Sequence, residues 1–405
     1  MLAGLAGALA ALLFRLLLEQ GSMLLWGGKG DVLVQAGVLP WYGVLLLTCG
    51  GGALAGGLLQ QAQRRYPDQH GDYMTVLANG GHQLRPGRSM WHAASAAASI
   101  ISGCAIGREG AMIQLAAQAG SQLGACLRTD AVTATQMLAC AAAAGVAFAY
   151  QSPLAGALFI AEIVFRSYSP RLLLPMLLAC GVAWLLERAL PGPALLYALP
   201  RLPTLSLLQV LLLLPLGLVC GVFWSLMLLG LARGSKLFRP LMPYMVLRLA
   251  LGGLACGVLA LLTPYVLGNG SSVIQNALHA YWPALLLLQV LLCKFLAIIL
   301  SSSSGAQGGL FTPTLCLGAL LGGLYACLLN VFGADLPLQA ALVAGMAGLL
   351  AAAIRAPLTA WVMLLEMTGD PLLALPLAMV VASAYWLAGQ LGSHSLYAAS
   401  LYGRG

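Results

Sequence analysis

The stretch QSPLAGALFIAE (151–162) returns 204 residues later as RAPLTAWVMLLE (355–366). Pro153 falls on Pro357, Leu154 on Leu358 and Glu162 on Glu366. Chance similarity among Ala- and Leu-rich segments would not keep a proline and a glutamate at one spacing. Upstream, ISGCAIGREGAMIQLAAQAG (101–120) loosely matches SSSGAQGGLFTPTLCLGALLG (302–322) at an offset near 201. The chain therefore reads as two homologous halves, about 1–200 and 201–405. Paired halves with interrupted segments at corresponding places are the pattern of transporters whose site lies at the repeat interface. An inverted orientation of the halves is the expectation.

Outward from the repeat, nearly the whole chain is apolar. Of 405 residues, 61% are hydrophobic and 7% charged, against about 25% charged in soluble domains. Runs at 1–19, 38–60, 131–149, 204–232, 281–300 and 371–391 approach the roughly 20 residues that a spanning helix needs. None alternates polar with apolar, as barrel strands must. The fold class is all-α: a polytopic membrane protein of two pseudo-symmetric, inverted repeats with broken membrane helices. The longest polar stretch, about 61–90, is a connector, so the whole of 1–405 is expected to be one transmembrane domain with no CBS or other soluble domain. The apolar N-terminus reads as a retained first helix and not as a signal peptide.

The net charge is +8. Its cations gather at Arg64/Arg65, Arg85/Arg88, Arg166/Arg171 and Arg233/Lys236/Arg239, which the positive-inside rule places in the cytoplasm. Nucleic acid is not expected as a partner. The 187–204 connector would face outward, with both termini cytoplasmic, in a multi-pass protein of a cell inner membrane. Ten scattered cysteines without a C-x-x-C pair read as small buried hydrophobes. The five histidines lack metal-ligand spacing and read as loop or interfacial residues, so neither metal nor cofactor is expected. Ser301–Ser304 lack any G-x-S-x-G or H-E-x-x-H context. They read as a polar break, and an intramembrane enzyme is disfavoured.

Glycine and proline interrupt the apolar runs at Gly107, Gly110, Gly268, Gly270, Gly305–Gly309 and Pro313. A helix that starts inside a membrane aims free N–H groups and the positive end of its dipole inward, and such an end binds anions. Three acidic residues lie in apolar or Gly-rich membrane segments: Glu109, Glu162 and Glu366. Intramembrane carboxylates are costly and point to function. Glu162 and Glu366 sit at equivalent repeat positions near helix ends and read as hydrogen-bonded anchors. Glu109, in GREGAM (107–112) at a helix start, can occupy an anion site itself. Once protonated it loses its attraction to the N–H groups and leaves, which makes it a gate sensitive to pH and voltage.

GREGAM (107–112) resembles the G-R-E-G-P signature of ClC chloride channels and transporters. GGLFTP (308–313) resembles that family's G-x-F-x-P, LLEMTGD (364–370) its segment after the second repeat helix, and SLYAASL (395–401) the segment carrying its pore tyrosine. The order of the motifs and GNGSSVIQ (268–275) are similar to the short ClcB-like bacterial branch. The resemblance implies Glu109 as the gate and anion contacts from the backbone of Arg108, Glu109, Gly110, Leu310 and Phe311. It also implies an inner hydroxyl from Tyr397, chloride as the ion, a homodimer with one pore per subunit, and no enzymatic activity. Leu-rich faces on 171–186 and 204–219 suit such a dimer.

Three departures from the family pattern stand out. Ala111 replaces the motif's proline. The G-S-G-I-P motif is missing; the repeat sets GNGSS (268–272) against PDQHG (67–71), which puts Asp68 near the serine's place, with backbone N–H groups near Gly71 to Tyr73 as a substitute. Ile163 stands where proton-coupled members carry an internal glutamate. A voltage- or pH-gated chloride channel is therefore expected over an H⁺/Cl⁻ antiporter. The branch suggests an electrical shunt during proton-consuming acid resistance. Fluoride is disfavoured because GGLFTP keeps its phenylalanine.

Overall fold

The computed structural model describes residues 1–28, 32–67, 72–192, 195–200 and 204–398. The first half runs α1 (Leu2–Trp26), α2 (Val32–Val38), α3 (Trp41–Arg65), α4 (Tyr73–Ala78), α5 (Pro86–Ile101), α6 (Glu109–Cys126), α7 (Ala131–Tyr150), α8 (Pro153–Phe159) and α9 (Pro170–Ala189). The second runs α10 (Leu207–Phe238), α11 (Met245–Leu262), α12 (Ser271–His279), α13 (Ala284–Ser303), α14 (Phe311–Val331), α15 (Leu338–Ile354), α16 (Pro357–Thr368) and α17 (Ala374–Gln390). Among the described residues, nine helices are long and apolar enough to cross a membrane. The fold is all-α and polytopic, as the composition requires.

The two series match element by element. α6 answers α14, α7 answers α15 and α8 answers α16, each near the offset seen in the sequence. The matching extends to the turns: α7 ends on Gln151 at φ 54° and α15 on Arg355 at φ 57°, both left-handed. A proline then opens the next helix two residues later in each half, where its missing N–H costs nothing. α7 and α15 are rich in alanine and buried along most of their length, which lets neighbouring backbones approach closely where no hydrophobic effect drives helices together.

The halves are inverted, and their seam shows it. Glu162, in a π-helical extension of α8 (Ile160–Phe165), accepts the N–H groups of Leu358 (3.2 Å) and Thr359 (2.8 Å) and the Thr359 hydroxyl (2.7 Å). Glu366 of α16 accepts the N–H groups of Leu154 and Ala155 at 2.9 Å each. The end of each short helix caps the start of the other, so the pair is antiparallel. Both carboxylates are thus the anchors that the repeat suggested.

The structure adds detail to three readings. Ser301–Ser303 form the last turn of α13, with Ser304 as its cap, and the break follows at once, before α14. His92 lies inside α5, where its Nε2 accepts from the Nε–H of Arg88 at 3.3 Å; of the loop and interfacial readings, the loop one does not hold for it. α4 and α12 start at residues 73 and 271, so the repeat offset there falls short of 201. The preceding helix differs in length, since α11 has 18 residues against the 25 of α3; residues 68–71 of PDQHG lie outside the described residues.

Candidate anion site

The loop 102–108 and the loop 304–310 each break a membrane segment and meet face to face. Gly107 N–H donates to the Gly309 carbonyl at 2.7 Å and Gly309 N–H to the Gly107 carbonyl at 2.8 Å, a single antiparallel bridge. The contact requires glycine at 107: a β-carbon there would lie 2.0 Å from Glu109 Oε2 and 3.0 Å from the Gly309 carbonyl. The bridge brings the starts of α6 and α14 together. Residues 108–110 and 310–312 therefore offer early N–H groups that no helical carbonyl reaches. Pro313 at the third position of α14 has no N–H to leave bare.

Glu109, 4% exposed, opens α6. Its Oε1 accepts from the Thr312 hydroxyl at the start of α14 and from Asn269 Nδ2 at 3.3 Å. Its Oε2 is buried and has no hydrogen-bond partner among the described residues. The carboxylate thus reaches across to α14 and covers the approach to Leu310 and Phe311. Below it stand aromatic rings: Tyr150 lies 4.6 Å from Phe311 between centroids, Phe159 lies 6.1 Å from Phe311, and Tyr397 stands edge-on to Phe159 at 5.6 Å. The side chains of Tyr150, Tyr197 and Tyr397 all lie within electrostatic range of Glu109. A cavity of about 210 Å³ is lined by Glu19, Arg108, Asn269, Ser271 and Ser272, among others.

The structure thus gathers Arg108, Glu109, Gly110, Leu310, Phe311 and Tyr397 into one place. Ile163 is buried, 5% exposed, and apolar in its surroundings. The expected substitute N–H groups at 71–73 are corrected in part: Tyr73 N–H donates to Gln114 Oε1 at 2.9 Å and is taken. Asp68 and Gly71 lie outside the described residues. Four contributors escaped the sequence reading: Thr312, Asn269, Tyr150 and Gln114. Thr312 stands inside GGLFTP and Asn269 inside GNGSSVIQ, so their place in those motifs was the available signal.

The Voltage gated chloride channel family matches residues 51–389. A ClcB-like protein of Ralstonia nicotianae is 40% identical over 99% of this chain and 95% of its own length. The Voltage-gated ClC-type chloride channel ClcB of Salmonella typhimurium is 37% identical over 98% of this chain and 96% of its own. A slow cyanobacterial Cl⁻/H⁺ antiporter of known structure superposes with a TM-score of 0.86 at 24% identity, covering 98% of this chain and 96% of that one.

Proposed function

The chain belongs to the voltage-gated chloride channel family, and from that premise we propose that it conducts chloride through a pore that Glu109 closes. One observation carries the reading: the Glu109 carboxylate lies across the starts of two broken helices, held by one oxygen only. Unpaired N–H groups attract an anion without a formal positive charge, firmly enough to admit it and weakly enough to release it. Chloride and the carboxylate compete for that cradle. Protonation removes the carboxylate's charge and its claim on the donors, so the gate swings away and chloride enters. The backbone of Arg108–Gly110 serves the outer position, the N–H groups of Leu310 and Phe311 the central one, and the Tyr397 hydroxyl the inner side.

Channel mode rests on Ile163. An isoleucine carries no proton, and its surroundings are apolar, so a relay of two glutamates has no inner member here. The rival reading, an H⁺/Cl⁻ antiporter, draws on the activity of the cyanobacterial neighbour. The protein is placed in a cell inner membrane, as one transmembrane domain with cytoplasmic termini, and as a homodimer. Exposed leucines 174, 178 and 185 on α9 and 207, 208, 211 and 214 on α10 favour such an interface. A shunt role in acid resistance follows from the branch.

Reconstituted vesicles with an outward chloride gradient and a recorded external pH test the mode. Chloride flux with no uphill proton movement is expected; uphill proton movement establishes exchange instead. Glu109→Gln tests the gate: flux should become independent of pH, and a variant that kept the wild-type pH dependence would remove Glu109 from that role.

A further inference from the structure

Lys294 is 0% exposed in the middle of the apolar helix α13. Its Nζ donates to the carbonyls of Val266 (2.7 Å), Leu267 (3.2 Å) and Gly268 (2.7 Å), with Tyr265 at 3.5 Å. An ammonium carries three donors, and here they are spent on one short loop. Burying such a charge is costly unless it is well hydrogen-bonded, so a converging set of carbonyls ties the loop firmly to the cation. Cys256 and Cys316 lie within its electrostatic range.

The same loop is pinned twice more. Gly268 N–H donates to the Gly103 carbonyl at 3.0 Å, on the stretch of chain leading to Glu109. Asn269 Oδ1 accepts from the N–H (3.2 Å) and hydroxyl (3.0 Å) of Ser271 at the start of α12. Gly268 and Gly270 flank Asn269 at φ 68° and 94°, left-handed values that suit glycine. With its oxygen fixed, the Asn269 amide has one direction left for its nitrogen, and that direction ends on Glu109 Oε1 at 3.3 Å.

We propose that Lys294 is a positioning residue for the gate: by gathering the 265–268 carbonyls it presents Asn269 to Glu109 and so sets how strongly the closed state is held. The inference rests on Glu109 being the gate. Lys294 acts through a loop, and the loop acts through one amide donor. The charged and titratable groups near Glu109 include Arg108, the residue before α6, Glu19 in the cavity that Arg108 also lines, Tyr150 on α7, Tyr197, and Tyr397, which also feels Asp72. None of them belongs to the Lys294 loop, so substitutions at 269 and 294 leave them in place.

The test is the pH profile of chloride efflux from vesicles of the full-length protein. Asn269→Ala removes a donor to the seated, anionic gate, so half-maximal flux should move to higher pH by about 1 unit, a tenfold change in proton concentration. Lys294→Gln should move it the same way. The double variant should move no further than either single one, because both act on one contact. Lys294→Arg, which keeps the charge and donors, should restore most of the wild-type profile. Should Lys294→Gln not be recovered as a monodisperse species in detergent, the Arg variant alone and with Asn269→Ala carries the test: its residual shift must vanish in the absence of the Asn269 amide. A shift for Asn269→Ala with none for Lys294→Gln, or additive shifts in the double variant, overturns the proposal. If Glu109→Gln abolishes pH dependence while neither Asn269→Ala nor Lys294→Gln moves the profile, Lys294 loses this role and the gate stands. If Glu109→Gln keeps the wild-type profile, the gate reading itself falls.

Discussion

Glu162 and Glu366 face the same physical problem as Glu109, a carboxylate inside an apolar segment, and meet it with different partners. The two anchors take backbone N–H groups at helix starts, donors that cannot move unless a helix moves. Both oxygens of each carboxylate are engaged. Glu109 takes donors only from side chains, Asn269 and Thr312, and only through Oε1. Its second oxygen lies against Gly107 with no donor among the described residues. A carboxylate fixed at both oxygens to rigid backbone holds two halves together. One held at a single oxygen by rotatable side chains can leave. The residue type and the cost of burial are shared; the number and stiffness of the donors separate the scaffold pair from the gate proposed at Glu109.

The harshest break of that comparison removes both anchors. Glu162→Leu with Glu366→Leu strands the N–H groups of Leu154, Ala155, Leu358 and Thr359 on an apolar face. Each unsatisfied group costs about 1–3 kcal/mol, and the sum approaches the ~5–15 kcal/mol that holds a typical domain together. The double variant should not be recovered as a monodisperse species by size-exclusion chromatography in detergent. Wild-type recovery would show that the crossed caps are ornamental.

A gentler pair of substitutions separates the two roles. Glu366→Gln keeps one acceptor oxygen and loses the charge, so the thermal midpoint in detergent should fall, by a stability of about 1–2 kcal/mol, with the pH profile of flux unchanged. Glu109→Gln should do the reverse, flattening the pH profile with the midpoint held. If both variants altered both readouts, the division between anchor and gate would be false. Thr312→Val is smaller still. It preserves shape and removes one donor from Oε1, so half-maximal flux should rise by less than about 1 pH unit at constant stability. An unmoved profile would leave Asn269 as the donor that matters.

The contrast also explains what the sequence could disclose. Long apolar runs and a proline-to-glutamate spacing of fixed length are local patterns, so the helices, the two halves and the anchor role of Glu162 and Glu366 were readable. Glu109 was readable because a charge in a Gly-rich membrane segment is rare. Its donors were not: Asn269 and Thr312 lie 160 and 203 residues away in sequence, and neither residue type is unusual in a glycine-rich turn. Arg15 was opaque for the same reason. Its partner Glu187, at 2.8 and 2.9 Å, is 172 residues distant, and only the packing of α1 on α9 and α7 reveals a neutralised pair. Lys294 is different. The lone charge in the run 281–300, it was open to the very argument applied to Glu109. The offset of one repeat segment does not carry over to the starts of α4 and α12, because the helix before each differs in length between the halves.

A fourth carboxylate sets the scale, because it caps a helix in water. Asp130 precedes α7 and accepts from the Thr133 N–H at 3.2 Å and from the Thr133 hydroxyl at 2.7 Å. Those bonds, the hydroxyl's first, hold its carboxyl below the ordinary value of 3.8. A depressed value in the folded state means that the cap's stabilisation is present above the unfolded value and is lost as pH falls through the folded one. Asp130→Ala should therefore lower the thermal midpoint slightly at neutral pH, and the gap to wild type should close in acid below pH 3.8. Added salt should narrow that gap too, since the site is open to solvent. The crossed caps at 162 and 366 are partly buried, so the loss measured for Glu366→Gln should change less with salt than the loss at Asp130. If the two losses responded to salt alike, apolar surroundings would not be what gives the inner anchors their greater weight.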